Sequence, residues 1–173
     1  MQEKLYLRSV TIDDLNLLFE WVNEPAVRKN SFNMNIISMD EHAAWLERVL
    51  TDFNTKLYIL QEEDTPLGQV RLTYDTNVWQ ISYSIAPAYR AQGYGKIILQ
   101  LAENELIRGG HIGEQLYAEV KKDNIASQRI FKKLGYSEVA SQHDNAYGYI
   151  KTVSAKVNDM IIPMSAGGGQ LSC

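Results

Sequence analysis

Tyr89-Arg90-Ala91-Gln92-Gly93-Tyr94-Gly95-Lys96 is the stretch that decides how this 173-residue chain reads. Before it, Trp79, Ile81, Tyr83 and Ile85 alternate onto one face of a strand that Pro87 stops. After it, the pattern from Gly95 to about Arg108 is helical, and Gly109-Gly110 punctuates its end. A loop between a strand and a helix exposes unpaired backbone N–H groups at the positive end of the helix dipole, an anion site suited to a phosphate or pyrophosphate. Gly93 and Gly95 would let such a ligand approach the backbone, and Arg90 and Lys96 could neutralise it. Taken alone, the stretch reads equally well as a glycine turn into a helix with no ligand.

Counting excludes two other phosphate loops. A dinucleotide fingerprint needs glycine or a near equivalent where Ile98 stands, and a Walker loop needs glycine at Arg90 and Ser or Thr at Ile97.

Outward from the loop the chain reads as one domain over residues 1–153. Residues 4 to 10 alternate as a strand, and Thr11-Ile12-Asp13-Asp14 resembles a capping box opening a helix with Ile12, Leu15, Leu18, Phe19 and Val22 on one face. Pro25 lies just past its expected end. Ser38-Met39-Asp40-Glu41 is a second cap, before a helix striped by Trp45, Leu46, Val49 and Leu50. Strands follow at Leu57 to Leu60 and Leu67 to Tyr74. Beyond the central helix come a strand from Leu116 to Lys121, a helix capped at Asp123-Asn124 and closed by Gly135, and strand-like runs at Tyr136 to Ala140 and Tyr147 to Val153. The predicted order is β-α-α-β-β-β-α-β-α-β-β. Residues 154–173, with the apolar piece Met160 to Met164 and Ala166-Gly167-Gly168-Gly169, read as a weakly ordered C-terminal extension.

Composition bounds the function. With 45% apolar and 22% charged residues the chain can bury one substantial core. A net charge of −4 argues against nucleic-acid binding, which relies on clustered Lys and Arg. No run approaches the roughly 18 apolar residues of a membrane helix, and Met1-Gln2-Glu3-Lys4 leads into alternation and not a secretory h-region, so the expected location is cytoplasmic, without a membrane partner. The single cysteine, Cys173, is the last residue, which leaves no internal disulfide, cysteine cluster or buried thiol nucleophile. No metal is expected.

The run Arg90-x-x-Gly93-x-Gly95 resembles motif A of the GNAT N-acetyltransferase superfamily. Residues Ala118 to Tyr136, AEVKKDNIASQRIFKKLGY, resemble the same family's motif B, and the likeness covers roughly residues 4 to 153. It implies an α/β (α+β) fold with a central mixed, mostly antiparallel sheet of about seven strands flanked by about four helices. It also implies an enzyme with acetyl-CoA as co-substrate, acting by direct transfer to a primary amine. Ser84-Ile85-Ala86 would pair with the pantetheine arm like an added strand. Around Arg90 and Ala91, the N–H groups of Gln92, Gly93, Tyr94, Gly95 and Lys96 would hold the pyrophosphate. Asn124 would bind pantetheine while capping its helix, and a backbone N–H near Ile85 would meet the oxyanion.

At the cofactor-facing position 131, many relatives carry a tyrosine that protonates the departing thiolate; this chain has Phe131. A thiol pKa near 8.5 makes the thiolate an acceptable leaving group, so the acid is dispensable or replaced by a tyrosine such as Tyr83. For the base, Glu119 lies mid-strand on the face opposite Ala118 and Val120, where a solvated carboxylate is the plainer reading. His42 sits in a first helical turn whose dipole would keep it neutral, and a surface histidine is the plainer reading there. His111 and His143 fall in expected turns and look uninformative.

The acceptor should meet the segment from Trp21 to Phe32, which otherwise reads as an ordinary interhelix loop. With Glu41-His42-x-x-Trp45, Gly68-Gln69-Val70-Arg71 and Ile81-Ser82-Tyr83-Ser84-Ile85, it resembles the UDP-4-amino-sugar N-acetyltransferases of pseudaminic acid biosynthesis. Under that likeness Arg28 or Arg71 would meet phosphate, Trp21, Phe32 or Tyr83 would stack on base or sugar, and Asn30 would join the substrate site. The partner would be a small-molecule amine, a nucleotide sugar, and a homodimer is compatible with the chain. S-x-x-x-F-x-K-x-G-Y, Ser127 to Tyr136, also resembles ribosomal-protein acetyltransferases, which leaves a protein N-terminus as the alternative acceptor. Phe131 and the lack of an obvious base leave open a non-catalytic CoA-binding module.

Overall fold

A computed structural model describes residues 5–155 of the chain. The elements are β1 (Leu5–Ser9), a 3-10 turn (Ile12–Asp14), α1 (Leu15–Val22), α2 (Pro25–Asn30), α3 (Met39–Thr51), β2 (Thr55–Glu62), β3 (Thr65–Asp75), β4 (Val78–Ile85), a second 3-10 turn (Pro87–Tyr89), α4 (Tyr94–Arg108), β5 (Gln115–Lys121), α5 (Ile125–Lys133), β6 (Ser137–Val139) and β7 (Ala146–Thr152). The seven strands form one sheet in the order β1-β2-β3-β4-β5-β7-β6, antiparallel throughout except for the parallel pair β4–β5. This is the mixed, mostly antiparallel sheet that the motifs imply. Most of the predicted C-terminal extension lies outside the described residues. Among those described, no helix is long and apolar enough to cross a membrane.

The described residues hold five helices rather than about four because Pro25 starts a helix where the sequence was expected to leave a loop. Proline at the first helical position loses no hydrogen bond that the helix would have made, and the Glu24 carboxylate accepts from the Val27 N–H at 3.2 Å to cap the turn. Helix α3 starts as predicted, with Ser38 and Glu41 exchanging hydrogen bonds in a capping box.

Two cores lie on opposite faces of the sheet. Leu72, Leu116 and Tyr149 pack with Ile98 and Leu106 of α4 and Phe131 of α5. On the other side Ile59 and Ala86 pack with Leu18 and Trp21 of α1 and Leu46 of α3. The alternation along β5 follows: Leu116, Ala118 and Val120 are buried in the first core, which leaves Tyr117, Glu119 and Lys121 on the other face.

The feature that positions the site is an incomplete pairing. β4 and β5 are in register only at Val78↔Gln115, Trp79↔Leu116 and Gln80↔Tyr117. β4 nevertheless stays paired with β3 as far as Gly68↔Ile85, and β5 with β7 as far as Lys121↔Ala146. The sheet therefore opens into a gap between Ile81–Ile85 and Ala118–Lys121.

Candidate active site

One edge of that gap carries an unspent backbone N–H, that of Ile85, whose carbonyl is taken by Arg90. The Ala86 N–H donates to the Leu67 carbonyl at 2.9 Å. Since antiparallel pairs alternate between bonded and non-bonded, Gly68↔Ile85 is a non-bonded pair, and the Ile85 N–H and C=O turn away from β3 towards the gap. An extended chain with amide groups, such as a pantetheine arm, could add to this edge. On the neighbouring residue, the Ser84 hydroxyl takes a long 3.4 Å bond from Gln69.

The loop after β4 turns through two left-handed residues, Ala91 at φ 60° and Gly93 at φ 91°, before α4 begins. At Gly93 nothing stands within 4 Å of a notional Cβ, so glycine there answers the backbone angle alone. Gly95 has a different reason from the ligand approach read in the sequence. A Cβ on it would lie 2.8 Å from Ile130 Cδ1 and 3.3 Å from Tyr83 Cε2, so the first turn of α4 is packed tightly on α5 and β4. The Lys96 and Ile97 N–H groups both return to the Gly93 carbonyl, so the Lys96 amide is spent inside the helix. The Lys96 side chain is exposed, as is Gln92.

Arg90 does not wait for a phosphate. Its Nε donates to the Ile85 carbonyl at 3.0 Å and its terminal nitrogen pairs with Glu24, whose carboxyl that contact holds below the usual range. Arg90 thus clamps the end of β4 to the start of α2. Asn124 caps α5, its side-chain oxygen accepting from the Ser127 N–H at 3.2 Å. Phe131 is only 1% exposed, stacked on Tyr149 at 5.6 Å and edge-on to Tyr136 and Tyr83, which makes it a core residue. The Tyr83 hydroxyl shares a 3.1 Å hydrogen bond with Ser127 Oγ beside Gly95. Burial pushes the Tyr83 phenol up, more than the Ser127 contact lowers it, so it keeps its proton.

On the α1–α3 side of the sheet a pocket of about 520 Å³ is lined by Phe32, Trp45, Arg48, Arg71, Ser82 and Glu119 among others. Arg71 is half-buried, its guanidinium 5.8 Å from the Trp45 ring, and among the described residues no carboxylate pairs with it. Burial pushes its pKa down.

Glu119 is the centre of a network. One oxygen accepts from the Ser141 hydroxyl at 2.6 Å, the Gln142 N–H at 2.8 Å and the Tyr117 hydroxyl at 3.0 Å. The other lies 2.9 Å from His143 Nδ1. Burial pushes the carboxyl up, but these donors together outweigh it and hold Glu119 below the usual carboxylate range. His143 in turn stacks on Phe32, centroids 3.8 Å apart at 13°.

Three further sequence expectations need correction. Arg28 is buried, and four of its five N–H donors go to the carbonyls of Val22, Asn33 and Asn35 and to Ser31 Oγ, so it folds the segment after α2 and is not a phosphate ligand. Trp21 is a core residue under α3 and offers no exposed face. His42 is 2% exposed between Phe19 and Trp45, and burial, not the helix dipole, lowers its pKa; its Nε2 meets no partner and no solvent, which removes it as a proton acceptor for a bound amine. Asn30 is exposed at the end of α2. His143, read as an uninformative turn residue, contacts two residues that line the pocket, Phe32 and Glu119, without lining it itself. No local signal marks it, because its contacts come from β5 and from the segment after α2. Among the described residues no group of three or more His, Cys, Asp or Glu could hold a metal ion.

Comparison with known proteins agrees with this architecture. A comparison with curated protein sequences finds no match. A domain from Methanocaldococcus jannaschii is similar at 23% identity and a TM-score of 0.75, covering 86% of this chain and 98% of that one. Spermidine N-acetyltransferase from Vibrio cholerae, in complex with CoA and spermine, is similar at 15% identity and a TM-score of 0.76, covering 86% and 95%. A ribosomal-protein alpha-N-acetyltransferase in complex with coenzyme A is similar at 16% identity and a TM-score of 0.74, covering 88% and 96%. At these identities the likeness is one of fold. The family model described as an acetyltransferase (GNAT) domain matches residues 4–137, most of the chain. With the gap, the loop and the sheet order that such a match requires all in place, the chain belongs to the GNAT acetyltransferase family.

Proposed function

We propose that the protein transfers the acetyl group of acetyl-CoA to the primary amine of an acceptor that also carries an anion, and that this acceptor is a UDP-4-amino-sugar. The thioester supplies an activated acetyl group, and the gap between β4 and β5 suits its pantetheine arm. Ile85 turns its N–H to that gap, where it can meet the oxygen of the reacting carbonyl. The loop from Gln92 to the first turn of α4, with the exposed Lys96 side chain, suits the pyrophosphate. The CoA complexes of the spermidine and ribosomal-protein acetyltransferases support the choice of donor.

The acceptor reading rests on Arg71. A guanidinium partly withdrawn from water without a carboxylate partner is disfavoured, and an anionic ligand binding it in two-pronged geometry offsets that. Arg48 shares the pocket, Phe32 and Trp45 offer rings for a base or sugar, and Asp52, Asp75 and Glu119 suit the ammonium at the other end. A polyamine has the cation but not the anion.

The test is a thiol-release assay with purified protein, comparing a UDP-4-amino-sugar with a peptide bearing a free N-terminus. Turnover of the nucleotide sugar, lost when Arg71 becomes Ala, supports the reading. Activity confined to the peptide overturns it.

A further inference from the structure

We propose that His143 is the catalytic residue that takes the proton from the acceptor's ammonium, and that Glu119 is its positioning residue. The proposal rests on the acetyl-transfer reading above but not on the sugar. It begins from the occupancy of Glu119. Three donors crowd one of its oxygens, Ser141, Gln142 and Tyr117, and the second oxygen faces His143 Nδ1 at 2.9 Å. A carboxylate so loaded is a weak base. It is, however, an effective orienter of an imidazole, because an ionised carboxylate can only accept. The shared proton therefore belongs to Nδ1, and the neutral ring carries its lone pair at Nε2.

The ring is held from several sides. Phe32 stacks on one face, and the His143 backbone N–H donates to Ser141 Oγ at 3.0 Å, the same hydroxyl that donates to Glu119. Glu119 from β5 is the only charged group among these contacts; Phe32 is neutral and Ser141 does not titrate in the working range. Among the described residues no group bonds Nε2, and the side chain is 45% exposed. Both of its supports, Phe32 and Glu119, line the acceptor pocket. Glu119 also stands two residues past Tyr117, the last β5 residue paired with β4, and so beside the opening of the gap. The imidazole is thus fixed against two residues of the acceptor pocket, one of them beside the opening of the gap.

The step balances without a further reagent. The ammonium gives one proton to Nε2. The freed nitrogen lone pair forms the C–N bond at the thioester carbonyl carbon, and the C–S bond breaks with its electrons on sulfur. The surplus proton on the attacking nitrogen passes to the thiolate, and the imidazolium returns its proton to water. One amide, one thiol and one proton result.

Two measurements test this. The first needs no acceptor: long-range nitrogen–proton NMR on the full-length protein at neutral pH should show His143 with the proton on Nδ1, and Glu119→Gln should shift the ring towards a mixture of tautomers. A ring protonated on Nε2 in the wild type overturns the proposal. The second is kinetic, with a UDP-4-amino-sugar and spermidine as the amines. His143→Ala and His143→Gln should lower kcat by about 100-fold or more while the acetyl-CoA dissociation constant stays within twofold, and added imidazole should restore part of the rate to His143→Ala. Wild-type rates in both variants, or a loss carried entirely by acetyl-CoA affinity, overturn it. If the wild type acetylates neither amine, the acceptor reading has failed separately, and the tautomer decides the role of His143.

Discussion

Phe32 and His143 lie ring on ring, 3.8 Å between centroids, although one follows α2 and the other precedes β7. That stack ties the segment after α2, whose Phe32 lines the acceptor pocket, to the segment before β7. An aromatic pair of this kind contributes about 0.5–1.5 kcal/mol beyond its buried area. Phe32→Ala should raise the KM for the amine by about threefold to tenfold, leave the KM for acetyl-CoA unchanged, and lower kcat through a less ordered imidazole. Phe32→Tyr should behave as wild type. Steady-state kinetics with each substrate varied in turn will show it.

Arg71 gives a prediction with two opposite signs. Arg71→Met removes a cation that burial disfavours and keeps most of the volume, so the melting temperature of the free protein should rise by a few degrees. The same change should raise the acceptor KM by about 30-fold or more, since truncating one partner of a charge pair costs about 2 kcal/mol or more. Calorimetric melting and kinetics on one preparation check both signs together.

Glu119 predicts a pH dependence of stability. Its carboxyl is held below the usual range, so the stabilisation from its donors is fully present above the ordinary glutamate value of about 4.3 and is lost as pH falls through its lower folded value. The stability difference between wild type and Glu119→Gln should therefore shrink as pH falls below about 4. Urea melts from neutral pH downwards measure it; a difference that goes on growing below about pH 4 would contradict the assignment.

The two loop glycines should fail differently. Gly93→Ala meets no atom but must hold φ 91°, a cost of about 1–2 kcal/mol that no neighbouring substitution relieves. Gly95→Ala collides with Ile130 Cδ1 and should cost about 1–3 kcal/mol, of which Ile130→Val, lacking that methyl, should recover part. Denaturant melts of the three variants and the double variant separate backbone strain from overpacking.

What could be read from the sequence was local or periodic. The strand ending at Ile85, the glycine loop, α4, and the Ser38–Glu41 cap are each written within a few consecutive residues, and the structure has all of them. Pro25 misled because proline stops one helix and starts another by the same chemistry, and only the Glu24 cap distinguishes the two. Charges were the harder class. Arg28, Arg71 and Arg90 look alike in sequence, yet one folds a loop, one pairs with Glu24 and one lines the pocket unpaired. Their roles are set by partners that only the folded chain brings near. His143 was invisible for the same reason, since Glu119 is the residue that gives it a direction.

Acetyl transfer from acetyl-CoA to an amine at the opening between β4 and β5 can be followed directly. The most direct measurement incubates the protein with acetyl-CoA and a UDP-4-amino-sugar and follows thiol release together with the mass of the acceptor. One thiol should be released for each acceptor that gains a single acetyl group, with both lost in Arg71→Ala. Acetyl-CoA that neither binds nor loses its acetyl group to this or any other amine tried would contradict it.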